Sequence, residues 1–519
     1  MKIKITFLTM VTVVYSIACF AQPGALDPSF SGNGRVTTLV GTQKSPAYGL
    51  AIQPDGKILL GGSYLNGATN KLDYAIVRYN VDGTLDNSFA GNGKAGMDAF
   101  YDDYCFAMAL QPDGKIVAVG GSERIGFPDS LFFSVVRFTS TGQPDNSFGT
   151  NGKVLIHSLG QLRTVAVQSD GKIIASGNTL GTDYATFRFN TNGTLDNSFG
   201  TQGRVDFYFP KTGHGYGQPE GIAVQPDGKI LVTGWAYETV RIATVRFNAN
   251  GTLDPSFNGT GYVGTQVGSS MHSEGHAITL QSNGKILVAG YYNSSDGSAN
   301  MVVVRYNTNG TLDNSFAGNG KAAVDFGSNV NDNGNAIVVQ QNGQIVISGG
   351  TAGGTPATND FALARLNTDG TPDNSFGNSG KVQTGFGYTE TANSIALQSD
   401  GKIVAGGTDG THMMAARYIA AISTPPPVGN SVTPAVGKQN LATMALYPNP
   451  SSGSLSIRGF ALSPATRLNI FDTGGKIRKS GLHTHNAFNT LNVEDLTPGV
   501  YFLEITENDT RNIFKFVKK

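Results

Sequence analysis

The sequence predicts an all-β chain: a seven-bladed β-propeller whose ends meet in one blade, followed by a small C-terminal β-sandwich. Three observations predict it. A tight-turn phrase returns seven times, spaced 56 to 59 residues apart; apolar strands of regular length flank each copy; and the last copy lacks a closing phrase that the beginning of the chain supplies.

The turn phrase reads QPDGKI at 53, 111 and 225, QSDGKI at 168 and 398, QSNGKI at 281 and QQNGQI at 340. Pro or Ser, then Asp or Asn, then an unvarying Gly is a hairpin signal, with the Gly providing the left-handed conformation that side chains resist. Each turn joins two apolar strands, as in GIAVQPDGKILVTG at 221–234. A third strand alternates and ends in Arg plus an apolar residue, as in AIVRYN and ATFRFN. A shorter, more polar fourth strand follows the phrase LDxSF and has the character of an edge. Four antiparallel strands repeated at this period give seven blades of about 57 residues. The 69 glycines and a charged fraction of only 14% in 519 residues fit such a turn-rich fold.

The final copy ends at MAARYIAA, 414–421, with no LDxSF phrase after it, whereas ALDPSFSGNGRV stands near the beginning, at 25–36. The segment from Leu26 to Val40 is therefore expected to complete the seventh blade. Arg–Asp spacing supports the closure. Arg78/Asp86, Arg137/Asp145, Arg188/Asp196, Arg246/Asp254, Arg305/Asp313 and Arg365/Asp373 each stand eight residues apart, leaving Arg417 and Asp27 as the seventh pair. Seven identical pairs read as scaffold, a guanidinium fork holding the carboxylate of the turn that leaves its strand. The Ser and Phe of the phrase, Ser29 and Phe30 through Ser375 and Phe376, are expected to hold that turn and to pack between blades.

The first 21 residues read as a secretory signal: Lys2 and Lys4, an apolar run, then small residues ending at Ala21. Without them the chain is almost neutral and carries no electrostatic footprint for nucleic acid, and no transmembrane segment is expected in the mature chain. Cys19 lies in SIAC, a loose lipobox match that leaves lipidation open. Cys105 reads as a buried apolar group, and two cysteines offer no disulfide framework.

Chemical motifs are sparse. NVDGTLD at 80–86 has too few oxygen ligands for a calcium loop, and no copy carries a later bidentate Glu. The histidines do not recur at one repeat position; His272 and His276 have zinc-like spacing only on a helix, which MHSEGHAI does not favour. Neither a cofactor nor a metal is expected, and no catalytic residue is assigned. The QPDG and LDxSF turns leave on one face of the ring and stay nearly constant, while the connections on the opposite face vary freely. Recognition usually resides in such loops. The candidate ligand-binding residues there are Tyr64, Tyr101, Asp103, Tyr216, Trp235, Tyr237, Glu274, Tyr291, Tyr292, Asp332 and Glu390.

After the repeats comes a Pro-rich linker, 422–444, and then YPNP, S-x-G-x-L-x-I, IFDTGGK and LTPGVYFLEI. In order and wording, 445–519 closely resembles the C-terminal sorting domain of the type IX secretion system of Bacteroidetes. That resemblance implies export across the outer membrane, the secretion machinery as a partner, and release or anchoring at the cell surface. Residues 25–421 resemble the delta-60 repeat family of bacterial surface proteins, which brings no catalytic residues. The expected organisation is a signal peptide at 1–21, a propeller at 22–421, the linker, and a sorting domain at 445–519. The expected function is a secreted or cell-surface binding or adhesion module for a glycan or protein. One alternative is a hydrolase of polysaccharide or peptide using loop carboxylates at the channel mouth; another is a structural surface-layer component.

Overall fold

The computed structural model describes residues 22–420 apart from 125–130, 158, 180–181, 211–216, 237–240, 269–271, 329 and 353–358. In the C-terminal unit it describes 445–447, 454–458, 467–472, 477–479, 490–507 and 510–518. The chain divides into two compact units, Met1–Thr424 and Pro425–Lys519. The signal and linker segments, 1–21 and 422–444, lie outside the described residues.

The first unit holds seven four-stranded antiparallel sheets. Blade 1 runs Ala47–Ile52, Ile58–Asn66, Lys71–Tyr79 and Lys94–Met97, in sequence order from inside to outside, and blades 2 to 6 repeat this order. Blade 7 is composite: Thr391–Leu397, Ile403–Thr408 and Met413–Tyr418 are completed by Arg35–Thr38, which pairs with the third strand in the register Arg35↔Ala416 to Thr38↔Met413. The closing bonds copy those of an uninterrupted blade. Asp27 N donates to Arg417 O at 2.8 Å and Arg417 N to Gly34 O at 2.9 Å, where blade 1 has Asp86 N to Arg78 O at 3.0 Å and Arg78 N to Gly93 O at 2.9 Å.

The innermost strand of each blade packs on the innermost strand of the next, and Ala47–Ile52 packs on Thr391–Leu397, so the seven surround one central channel. Between blades lie the apolar cores, built from second and third strands buried on both faces, such as Ile116–Glu123 and Met413–Tyr418. Cys105 sits in one of these cores, fully buried, and burial pushes its thiol up to about 12.

The second unit has a three-stranded sheet (Ala445–Tyr447, Ser454–Arg458, Thr490–Asn492) and a four-stranded one (Ile477–Lys479, Arg467–Asp472, Gly499–Glu507, Thr510–Lys518). Leu455 and Leu491 of the first join Leu468, Ile470, Leu503, Ile505 and Phe516 of the second in one core. Among the described residues no helix is long and apolar enough to cross a membrane.

Candidate functional site

The two faces of the ring differ in chemistry. On the constant face, every Arg–Asp pair is formed: Nε lies 2.6 to 2.8 Å from Oδ2 in all seven, including Arg417 and Asp27 at 2.8 Å. The same oxygen meets the Lys of the QPDGK turn, for instance Lys57 on Asp86 at 2.9 Å and Lys402 on Asp27 at 3.1 Å. In blade 6 the Gln344 amide takes the place of that Lys, 2.5 Å from Asp373. Each Arg Nη1 reaches a carbonyl of the following blade, as Arg78 does to Ser140 O at 2.7 Å and Arg417 to Val81 O. The guanidinium also lies over the Phe of its own repeat, 4.4 to 4.8 Å from the ring centroid in all seven. Strand, turn and neighbouring blade are thus pinned at one point. NVDGTLD is a turn: Asp82 Oδ1 accepts from the amide and hydroxyl of Thr84.

The variable face holds the predicted ligand residues that are described, and the structure separates them. Asp103, Asp332 and Glu390 occupy one repeat position, eight before the turn Gln, and are buried beneath the loops. There they accept from loop amides: Ala99 N on Asp103 at 2.6 Å, Phe326 N on Asp332 at 2.8 Å, and Phe386 and Tyr388 N on Glu390. Burial pushes Asp103 up to about 7 despite the hydrogen bonds from Ser122 and Ala99, with Asp98 and Asp73 adding to the rise. Tyr64 is half-buried beside Asp73, and burial followed by that carboxylate raises its phenol. Tyr101 lies under Lys71 Nζ, 4.0 Å from the ring centroid. Trp235 is half-buried opposite Gln218, and Tyr292 covers Gly268. Tyr216 and Tyr237 lie outside the described residues.

Glu274 and Tyr291 do meet, opposite each other in the ladder of blade 5. His272 Nε2 is 3.1 Å from Glu274 Oε1 and 2.9 Å from the Tyr291 hydroxyl, and His276 Nε2 is 3.4 Å from Glu274 Oε2. Burial opposes the charge on Glu274, but His276, Tyr291 and His272 outweigh it and lower its pKa. The histidines stand on and beside the strand Ser273–Leu280 rather than on a helix.

His276 also belongs to a set of residues that periodicity did not reveal. The innermost strand of every blade carries a β-bulge at the same position, five before the turn Gln. Its occupants are Tyr48, Phe106, Arg163, Glu220, His276, Asn335 and Asn393. A bulge re-aims its side chain, and several of these reach the neighbouring blade. The Tyr48 and Phe106 rings are 5.9 Å apart, Arg163 covers Phe106 at 4.3 Å, and Arg163 reaches Glu220 at 3.6 Å. His276 meets Asn335 at 3.2 Å, Asn335 donates to Thr391, and Asn393 donates to Ala47 O at 2.8 Å, returning to blade 1. One neighbouring residue, Tyr104, lies nearly parallel to Phe106, at 12° and 6.4 Å. The available signal was chemical diversity at one position of an otherwise uniform repeat.

Residues 53–89, 111–148, 168–199, 225–257, 281–316 and 340–376 match the family described as a domain of unknown function (DUF5122) beta-propeller, and 445–519 match the secretion system C-terminal sorting domain. The chain is a DUF5122 β-propeller protein with a type IX sorting tail. The six matched segments fall in blades 1 to 6, and blade 7 is assembled from the two ends of the propeller sequence. The sorting domain marks the protein for secretion to the cell surface or beyond and for contact with the secretion machinery.

Among solved structures, the DUF5122 chain is similar to virginiamycin B lyase from Staphylococcus aureus (12% identity, 74% of this chain and 98% of that one, TM-score 0.40). It is also similar to the WD40 β-propeller domain of Doa1 (9%, 74% and 97%, 0.41) and to polysaccharide lyase Uly1 (11%, 72% and 89%, 0.42). These are distant likenesses of fold and carry no argument about what the ring does. A comparison with curated proteins found no match.

Proposed function

We propose that this protein is a secreted or surface-displayed glycan-binding module that takes its ligand at the channel mouth on the variable face. The bulge ring carries the reading: seven blades that agree at their scaffold positions present Tyr, Phe, Arg, Glu, His, Asn and Asn at the one position where backbone geometry turns a side chain out of the sheet pattern. Tyr48, Tyr104 and Phe106 form an aromatic wall on blades 1 and 2, suited to the flat apolar face of a sugar ring, and Arg163 and Glu220 stand beside it for hydroxyl groups. The hydrolase alternative draws less support, since Asp103, Asp332 and Glu390 are engaged by loop amides below the surface.

The test is binding of the purified chain to a glycan array, repeated with Tyr48→Ala and Phe106→Ala and with turnover assayed on every hit. Loss of binding by tenfold or more in either variant supports the site. Binding indifferent to both changes removes it, and turnover of a bound glycan replaces the binding reading with an enzymatic one.

A further inference from the structure

Blade 5 departs from the other six at the channel mouth. It carries His276 at the bulge and Glu274 two residues before it, where the other blades have Pro46, Tyr104, Gln161, Gln218, Asn333 and Thr391. A carboxylate beside an imidazole at these two positions is therefore no demand of the fold.

Both ring nitrogens of His276 face acceptors. Nε2 lies 3.4 Å from Glu274 Oε2, and Nδ1 lies 3.2 Å from Asn335 Oδ1 on the innermost strand of blade 6. The Asn335 amide is held in that orientation, because its Nδ2 donates to Thr391 Oγ1 and to the Ala392 carbonyl of blade 7, each at 3.1 Å, and a carbonyl can only accept. A neutral imidazole has one N–H and one lone pair, so its lone pair would point at either the carboxylate or the amide oxygen. The imidazolium, with two N–H groups, satisfies both contacts. The His276 side chain is 21% exposed, which leaves it open to exchange protons with solvent.

The charged and titratable groups around His276 are Glu274 on its own strand, His272 just before that strand, Tyr291 on the second strand with its ring 5.4 Å away, and Glu220 on blade 4. Burial opposes the charge, but the Glu274 hydrogen bond, the Glu220 and Glu274 charges and Asn335 outweigh it, and the pKa rises above the ordinary 6.5.

We infer that His276 is a proton-operated clasp: charged, it ties blade 5 to blade 6 at the channel mouth, and uncharged it lets that seam loosen. Once the proton leaves, one contact must break. If Nδ1 keeps its hydrogen, Glu274 faces a lone pair; if Nε2 keeps it, the tie to Asn335 is lost, and Asn335 is the residue that reaches on to blade 7. A charge held in this way adds stability that is complete below the unfolded pKa and is lost as pH rises through the higher folded one, so the clasp is closed in acid and opens above pH 6.5. The inference does not depend on a glycan being the ligand there.

The experiment follows the ring nitrogens of isotope-labelled histidine in the purified chain by NMR from about pH 5 to about pH 9, with His276 assigned by its loss in His276→Gln. The expected result is an imidazolium whose midpoint lies above 6.5 and moves to lower pH in Glu274→Gln. Hydrogen exchange reads the seam itself: protection factors of amides in 332–339 fall about tenfold across that range in the unaltered chain and stay level in His276→Gln. Should His276→Gln fail to fold, Glu274→Gln carries both readouts, assigning the signal by its shift and losing protection at correspondingly lower pH. A midpoint at or below 6.5, a midpoint that Glu274→Gln leaves in place, or protection that stays level in the unaltered chain overturns the inference.

Discussion

At the scale of the residue, the protein repeats one ionic junction seven times, and its closure depends on the copy shared between the chain's two ends. Arg417 and Asp27 are 2% and 7% exposed at the side chain, so removing either leaves a buried charge unpaired. Arg417→Ala and Asp27→Ala are each expected to cost about 3–5 kcal/mol in chemical denaturation, and the double variant clearly less than the sum. Additive losses contradict the pairing. The junction also sets the acid limit. Burial pushes the Asp27 carboxyl up, but the Ser29 hydroxyl and amide, Lys402 and Arg417 outweigh it and hold the pKa at about 2 against an ordinary 3.8; Asp145 and Asp254 also stand at about 2. A carboxyl with a depressed folded pKa contributes stability that is complete above its unfolded value and is lost as pH falls through the folded one. Stability should therefore drop steeply between about pH 4 and pH 2, and a denaturation midpoint flat across that window contradicts this account.

At the scale of the element, the turns show why the Gly two residues before the LD or PD pair never varies, while the position of Gly91 also takes Thr and Asn. Gly142 has φ 86°, and a Cβ there meets the Phe89 ring of the preceding blade at 2.8 Å, whereas Gly91 has φ 87° with open space around it. Both replacements by Ala carry the backbone strain of a left-handed residue, about 1–2 kcal/mol, but only Gly142→Ala also forces a ring out of a packed seam. Gly142→Ala should be about 1–3 kcal/mol more damaging than Gly91→Ala in thermal or chemical unfolding, and equal losses argue against the Phe packing between blades. The turns and the strand order were legible in the sequence because both depend on residues close along the chain. The bulges were not: nothing local in AYGLAI or DYCFAMAL announces the extra residue, and one extra residue reverses which side chains face the channel.

At the scale of the whole molecule, the strand Arg35–Thr38 converts seven blades into a closed ring. Removing residues 22–40 leaves blade 7 with three strands and strips Arg417 and Lys402 of Asp27. The truncated chain should unfold at a lower denaturant concentration, with the earliest loss of amide protection in 403–418. A midpoint equal to that of the full chain shows that closure adds no stability. The same ring brings together residues that sequence order scatters. Tyr48, Phe106 and Arg163 stand nearly 60 residues apart from one to the next, and Asn393 reaches Ala47 across 346 positions.

The sequence by itself determined the number of blades, the order of strands, the Arg–Asp junctions, the shared seventh blade and the export tail. Each of these is written as repetition or as a local motif, and repetition exposes even the one junction whose halves lie 390 residues apart. Only the tertiary structure decided which variable residues reach the channel. It placed Asp103, Asp332 and Glu390 beneath their loops and brought the bulge residues together, because burial and bulge geometry depend on the neighbouring blade rather than on the residue's own strand.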